Sequence, residues 1–303
     1  MAITIVTIIL NYNGKSDTYN CIKSLNKLII PKGINHQVVV VDNNSQDDSV
    51  NYLSAKFPKL KIITNNQNSG FTGGNNLGVV YAREIDADWV FLLNNDTISH
   101  SNLLNNLYTF AQTKPQSVIL SPKIYFAPHR EYHHQRYTQE DIGKVIWYAG
   151  GVIDWDNLII SHRGIDEVDQ GQYDQPTQIP VATGCSMLIH KKLWQEQDLF
   201  DNRYYLYYED SDLCLRINDN DQIWYVPSAK LWHINSSSSG SGSNLHDYYL
   251  TRNRLLLGQR YAPLRTKLSL IRESFKILIS GRPYQKRGVR DFYLRNFGKG
   301  RYF

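Results

Sequence analysis

The stretch "LKIITNNQNSGFTGGNN", residues 60–76, runs from an apolar strand candidate into twelve positions that hold three glycines and five asparagines. Glycine lets backbone approach backbone, or a ligand, where a side chain would obstruct it. Asparagine offers carboxamides in place of charges. The combination suits a crevice at a strand end that takes a polar, already anionic ligand, and on its own it equally suits an elaborate turn. The segments on either side decide the fold.

Upstream, "ITIVTIIL" is a continuous apolar run ending at Asn11, "TYNCIKSLNKLI" places Tyr19, Ile22, Leu25, Leu28 and Ile29 on one helical face, and "HQVVVVD" is a second buried strand ending at Asp42. A helix pattern over "DSVNYLSAKF" follows, and downstream come the helix "GGNNLGVVYAREI" and the strand "DWVFLLNND". Continuous apolar strands separated by helices predict an α/β fold with a mainly parallel central sheet covered by helices. Ligands of such sheets bind beyond the carboxyl ends of the strands, where Asn11, Asn13, Asp42, Asn43, Asn68, Asn94 and Asp96 fall. The first strand leads into "LNYNGKS" and not into a G-x-G-x-x-G turn, and no Walker phosphate loop occurs. Asp96, at the end of a buried strand with Asn94 beside it, can hold a hard divalent cation. Asp96 and Thr97 can equally cap a helix over "ISHSNLLNNLYTFAQ".

The second half adds "VATGCSMLIHKKLW" and "LFDNRYYLYYEDSDLCLRI". In the latter, Glu209, Asp210 and Asp212 interrupt an aromatic stretch and open an amphipathic helix. Acidic residues favour any helix N-terminus; a carboxylate between aromatic walls can also act as a general base. Asp210 is the candidate base, with Glu209 either orienting it or pairing with Arg216 or Arg252. Residues 126–178 read as a polar insertion around "VIWYAGGVI", an acceptor-side loop whose His129, His133 and His134 lack zinc-ligand spacing. "NSSSSGSGSN", residues 235–244, reads as a lid over a bound donor or as a flexible linker.

The 303 residues, 42% hydrophobic, suffice for one large or two modest cores. Three scattered cysteines suggest neither a disulfide framework nor a structural zinc site. No signal peptide or spanning segment is expected, which points to a cytoplasmic chain. The net charge of +5 is a C-terminal feature: residues 260–301 carry twelve Lys or Arg against Glu273 and Asp291. The helix candidates "LRTKLSLIRESFKILIS" and "VRDFYLRNF" mix these cations with Leu, Ile and Phe, as expected of helices lying on an anionic membrane face or on the domain itself. No nucleic-acid reading motif accompanies them, so nucleic acid is not an expected partner.

Nine segments, "VTIILNYNG", "VVVVDNNSQDDS", "NSGFTGGNN", "LLNND", "IWYAGG", "TGCSMLI", "FDNRYYLYYEDSDLCLR", "WHINSSSSGSG" and "YYLTRNRLLL", occur in an order that resembles family 2 glycosyltransferases of the GT-A type, in particular the rhamnosyltransferase-like branch. The resemblance covers about residues 1–258. It implies a GT-A domain over 1–258, with a nucleotide-binding half at 1–125 and an acceptor-binding half at 126–258, and a basic helical C-terminal extension at 259–303. It implies further that Leu10, Asn11 and Tyr12 line the base pocket, that Asp42 and Asn43 bind base or ribose, and that Asn68 and Gly70 lie near the nucleotide. Asn94 replaces the first aspartate of the usual D-x-D, leaving Asp96 to hold Mg2+ or Mn2+, with His233 reaching the metal or diphosphate and Arg252 as a counter-charge. Asp210 corresponds to the base, with Glu209 beside it.

The activity so implied is an inverting, metal-dependent transfer of a sugar, L-rhamnose from dTDP-rhamnose being favoured, from a nucleotide-diphosphate donor to a cell-surface polysaccharide or lipid-linked glycan. Asn43 stands where many relatives outside the branch carry a second aspartate, which keeps a UDP-hexose donor open. A non-catalytic glycan-binding scaffold is the other class, signalled by loss of Asp96 or Asp210; both are present. Truncation after Arg260 is expected to leave nucleotide binding nearly intact.

Overall fold

The computed structural model describes residues 2–235 and 243–302. Strand and helix alternate through the first hundred residues: β1 (Ile3–Asn11), α1 (Lys15–Leu25), β2 (Ile34–Asp42), α2 (Ser49–Lys56), β3 (Lys61–Thr64), α3 (Gly70–Glu84) and β4 (Trp89–Asn94). β2 and β4 flank β1 in parallel and β3 lies beyond β2. Ile5, Val6, Ile8, Ile9, Val39, Val40, Val41, Val90 and Phe91 are fully buried, as unbroken apolar strands must be when both faces of the sheet are covered. The register aligns the polar strand ends, with Asn11 opposite Asp42, Asp42 opposite Thr64, and Leu10 opposite Asn94.

Beyond β4 follow β5 (Thr97–Ser99), α4 (Leu103–Thr113), β6 (Ser117–Phe126), β7 (Ile146–Tyr148), β8 (Gly151–Asp154), β9 (Ile159–His162), β10 (Thr177–Gln178) and β11 (Ser186–His190). α5 (Glu209–Arg216), β12 (Gln222–His233), α6 (Asn244–Tyr261), α7 (Leu264–Ser280) and α8 (Pro283–Tyr293) complete the chain. The sheet runs β10-β12-β6-β11-β4-β1-β2-β3, with β5 on β12 and β7 on β6; β8 and β9 form a separate hairpin. β11 enters antiparallel to both β4 and β6, so the parallel half gives way to a mixed one. The α/β class and the C-terminal helices are as expected.

Two local expectations change. Thr97, Ile98 and Ser99 form a strand on β12, not the start of a helix, and α4 begins after Asn102. The helix-capping alternative for Asp96 therefore falls: Asp96 sits in the turn between β4 and β5, where the pairing of Thr97 with His233 delivers it to the end of β12. The insertion between β6 and β10 is anchored through Lys123, a fully buried ammonium paired with Asp169 (2.8 Å) and Asp174 (2.6 Å). A buried cation demands such partners.

The boundary expected at 258 falls inside α6, and the extension is continuous with the rest. Tyr204, Leu158, Leu256, Leu257, Leu270 and Val289 share one hydrophobic cluster. α8 lies close against α6 because residue 288 is glycine; a Cβ there would come within 2.6 Å of the Tyr248 carbonyl. The serine-rich lid or linker falls on residues 236–242, outside the described residues. Among the described residues, no helix is long and apolar enough to cross a membrane.

Candidate active site

The strand ends carry a closed carboxamide network. Asn11 Nδ2 donates to Asp42 Oδ1 (2.7 Å) and Ser45 Oγ (3.1 Å), while Thr18 Oγ1 donates to Asn11 Oδ1 (2.7 Å). Asp42 also accepts from the Ser45 amide and hydroxyl. Asn43 Nδ2 donates to Asn68 Oδ1 and to the Gly70 carbonyl, both at 3.0 Å, and its own Oδ1 accepts from Asn65 and from the Ser69 amide. Asn65 and Asn68 thus hold the entry to α3 on the end of β2, whereas Asn76, further along that helix, binds Phe200 and Asn202. Gly70 has φ +73, and a Cβ there would lie 2.4 Å from the Tyr205 carbonyl. Its freedom serves the approach of one backbone to another.

A cleft of about 690 Å³ opens beside this network, with Phe71, Asn94, Trp147, Gly184, Glu209, Asp210 and His233 among its walls. Asp210 lies in the first turn of α5. Its Oδ2 accepts from the Gly184 amide (2.9 Å), and its Oδ1 from the Ser211 amide (2.6 Å). Burial raises the proton affinity of this carboxylate, and the same amides oppose the rise. Glu209, beside it on the same wall, is buried, and its Oε2 has no hydrogen-bond partner among the described residues. Burial, with the adjacent Asp210 charge, pushes Glu209 well above the usual carboxylate range.

On another wall, His233 Nε2 lies 3.1 Å from Asp96 Oδ1. His233 Nδ1 is buried with no partner among the described residues, and Trp147 packs edge-on against the ring at 4.6 Å. Asp96 Oδ1 and His233 Nε2 are one carboxylate oxygen and one imidazole nitrogen, donor types that suit a divalent cation drawing its remaining ligands from phosphate and water. Among the described residues, no three or more His, Cys, Asp or Glu side chains gather as a protein-only metal cage. His162, 4.3 Å from Trp147, is lowered by burial to about 4 and stays neutral at physiological pH.

The structure therefore brings Asn94, Glu209, Asp210 and His233 around one cleft, with Asp96 held against His233 and with Asn11, Asp42, Asn43, Asn68 and Gly70 in the adjoining network. Leu10 packs under α3 against Gly74, while Tyr12 is half exposed at the rim. Arg252 goes elsewhere, and its expected role as a diphosphate counter-charge is corrected. It is fully buried in α6, donating to the carbonyls of Gly298 (2.8 Å), Tyr204 (2.9 Å) and Arg203 (3.1 Å). Nor does Glu209 pair with Arg216. That partner is Asp212, fully buried, which binds Arg216 (2.9 Å) and Arg260 (2.6 Å). Trp147, His162 and His246 line the cleft without having been singled out as site residues; "VIWYAGG" was the one signal for Trp147, and nothing in the sequence marked the two histidines.

The family model "Glycosyl transferase family 2" matches residues 6–196. The chain is similar to a low-salt glycan biosynthesis hexosyltransferase of Haloferax volcanii, 24% identical over 210 residues that cover 69% of this chain and 60% of that protein. It is similar as well to a dTDP-rhamnosyl transferase of Shigella flexneri, 23% identical over 274 residues, covering 86% and 82% respectively. The structure of GalNAc-T7 with UDP, GalNAc and Mn2+ superposes with a TM-score of 0.60 at 16% identity, covering 96% of this chain and 57% of that one. At that identity the likeness is one of fold. This chain thus spans about three fifths of the length of the haloarchaeal relative and of the GalNAc-T7 chain.

Proposed function

Because the chain belongs to glycosyl transferase family 2, we propose that it transfers a sugar from a nucleotide-diphosphate donor to a hydroxyl of a glycan, with inversion at the anomeric carbon. The observation that carries the reading is Asp210, a carboxylate held by two backbone amides on the wall of the cleft that also contains Asn94 and His233. The acceptor hydroxyl gives its proton to Asp210 as its oxygen attacks the anomeric carbon from the face opposite the nucleotide. The amides of Gly184 and Ser211 fix where that carboxylate points, and the raised proton affinity suits it to receive a proton. Burial and the neighbouring charge push the Glu209 carboxyl well above the usual carboxylate range, which favours the negative charge on Asp210. Trp147 supplies an apolar wall for a sugar ring.

Asp96 and His233 would hold Mg2+ or Mn2+, which when bound neutralises the charge growing on the leaving diphosphate. The strand-end network of Asp42 and Asn43 is where base and ribose would sit. dTDP-rhamnose is the favoured donor and L-rhamnose the sugar moved, supported by the similarity to the Shigella protein along 86% of this chain. A cell-surface polysaccharide or lipid-linked glycan is the acceptor in this reading. A UDP-hexose donor is the alternative, and retention of both Asp96 and Asp210 favours an enzyme over a glycan-binding scaffold.

A panel of nucleotide sugars offered with lipid-linked acceptors, read by mass spectrometry, identifies the donor. With that donor saturating, Asp210→Asn is expected to bind it nearly as before and to lower the single-turnover rate by about 10² to 10⁴. Near-normal chemistry in D210N together with collapse in E209Q would move the base to Glu209. No turnover of any donor by the unaltered protein would favour the scaffold.

A further inference from the structure

Helix α7 buries Thr266, Leu270 and Ser274 against the rest of the molecule. Its outer face carries Leu264, Leu268, Ile271, Phe275 and Ile279, spaced four and three residues apart and 45 to 81% exposed. A helix of a water-soluble domain turns such a stripe inward; here the inward face is already filled. Phe275 stacks on Tyr293 at 6.1 Å, and the exposed Tyr293 and Leu294 carry the patch onto the end of α8.

The helical repeat puts Arg265, Arg272 and Lys276 along one border of the stripe and Lys267 along the other. The two acids of residues 260–301 do not offset them. Glu273 pairs with Arg254 (2.8 Å), and Asp291 is buried, accepting from the Tyr248 hydroxyl and the Arg301 amide. What faces outward is an apolar stripe edged by cations.

We propose that this face of α7 seats on an anionic lipid bilayer, its stripe at the boundary between headgroups and acyl chains and its cations at the lipid phosphates. A second copy of the chain is the poorer occupant. A two-fold interface would set Arg265, Arg272 and Lys276 of one copy near the same cations of the other. Lys267, Ile271 and Tyr293 also line a cleft of about 560 Å³ whose walls mix Leu270 and Phe292 with Arg203 and Arg295, apolar and cationic groups together as on the helix face. The inference stands on the helix alone and does not require the sugar-transfer reading.

The full chain is sedimented with vesicles of phosphatidylcholine alone or mixed with phosphatidylglycerol, at low and high salt. Binding is expected to the mixed vesicles only and to weaken with salt. The triple substitution Leu268→Ser, Phe275→Ser and Ile279→Ser, and separately Arg265→Gln, Arg272→Gln and Lys276→Gln, should each lower partitioning by about tenfold or more. All six positions are exposed, and circular dichroism verifies the fold of each variant. Equal sedimentation with both vesicle types, or no change in either triple variant, overturns the proposal. So does a dimer, seen by light scattering, that the serine substitutions dissolve while the unaltered chain ignores vesicles.

Discussion

Glu209 and Asp210 are neighbours in sequence with opposite situations. Asp210 accepts two backbone amide bonds and reaches the cleft, whereas Glu209 Oε2 is buried without a partner among the described residues. A carboxyl with a raised native pKa contributes fully to stability only below its unfolded value. That contribution is lost as pH rises toward the folded one. Glu209→Gln keeps the shape of the neutral form and cannot ionise. The variant is therefore expected to unfold at a higher urea concentration than the parent near pH 8, with the difference vanishing near pH 4. A difference that stays constant across that range would show that the Glu209 charge is not what the burial opposes. The adjacency of the two acids was legible in the sequence; which one the backbone amides hold was not, because a helix start offers both positions the same local chemistry.

The segment that feeds α5 is strained. Tyr205, Tyr207 and Tyr208 hold φ between 65 and 70°, a region that costs a side-chain-bearing residue about 1 kcal/mol or more. α6 offsets this. Asn253 Nδ2 donates to the carbonyls of Tyr204 (2.9 Å), Leu206 (2.8 Å) and Tyr207 (2.9 Å), while Arg252 binds those of Arg203 and Tyr204. The "RN" of residues 252 and 253 is thus a clamp on the loop that delivers Asp210. Asn253→Ala leaves buried carbonyls unsatisfied and is expected to cost about 3 kcal/mol in equilibrium urea unfolding. In the fraction still folded, turnover should fall more than donor affinity. A loss of stability with unchanged turnover would reduce the clamp to a packing contact. Nothing in the local pattern of α6 separates an arginine that meets phosphate from one that meets backbone, since both present the same donors.

At the scale of the molecule, removing residues after Arg260 does more than trim a surface helix. It deprives buried Asp247 of Arg282, Tyr248 of Asp291, and Arg252 of the Gly298 carbonyl. Stranding a buried charge costs about 3–5 kcal/mol. The truncated chain is accordingly expected to lose thermal stability, and nucleotide binding with it, in contrast to the separable tail that the charge distribution suggests. Differential scanning calorimetry beside nucleotide titration checks this; an unchanged melting temperature would favour a separable extension at 259–303. The sequence by itself determined the alternation of strand and helix in the first hundred residues and the row of polar residues at the strand ends, because hydrophobic periodicity records which faces are buried. It also singled out both Asp96 and Asp210. The resemblance had already set His233 beside the site of Asp96; only the tertiary structure put the two in direct contact across 137 residues, aimed Asp210 with the Gly184 amide, turned β11 antiparallel and drew Arg252 inward. Periodicity reports that a side chain is buried or exposed, whereas its partner is set by the long-range pairing of strands and helices that local spacing does not encode.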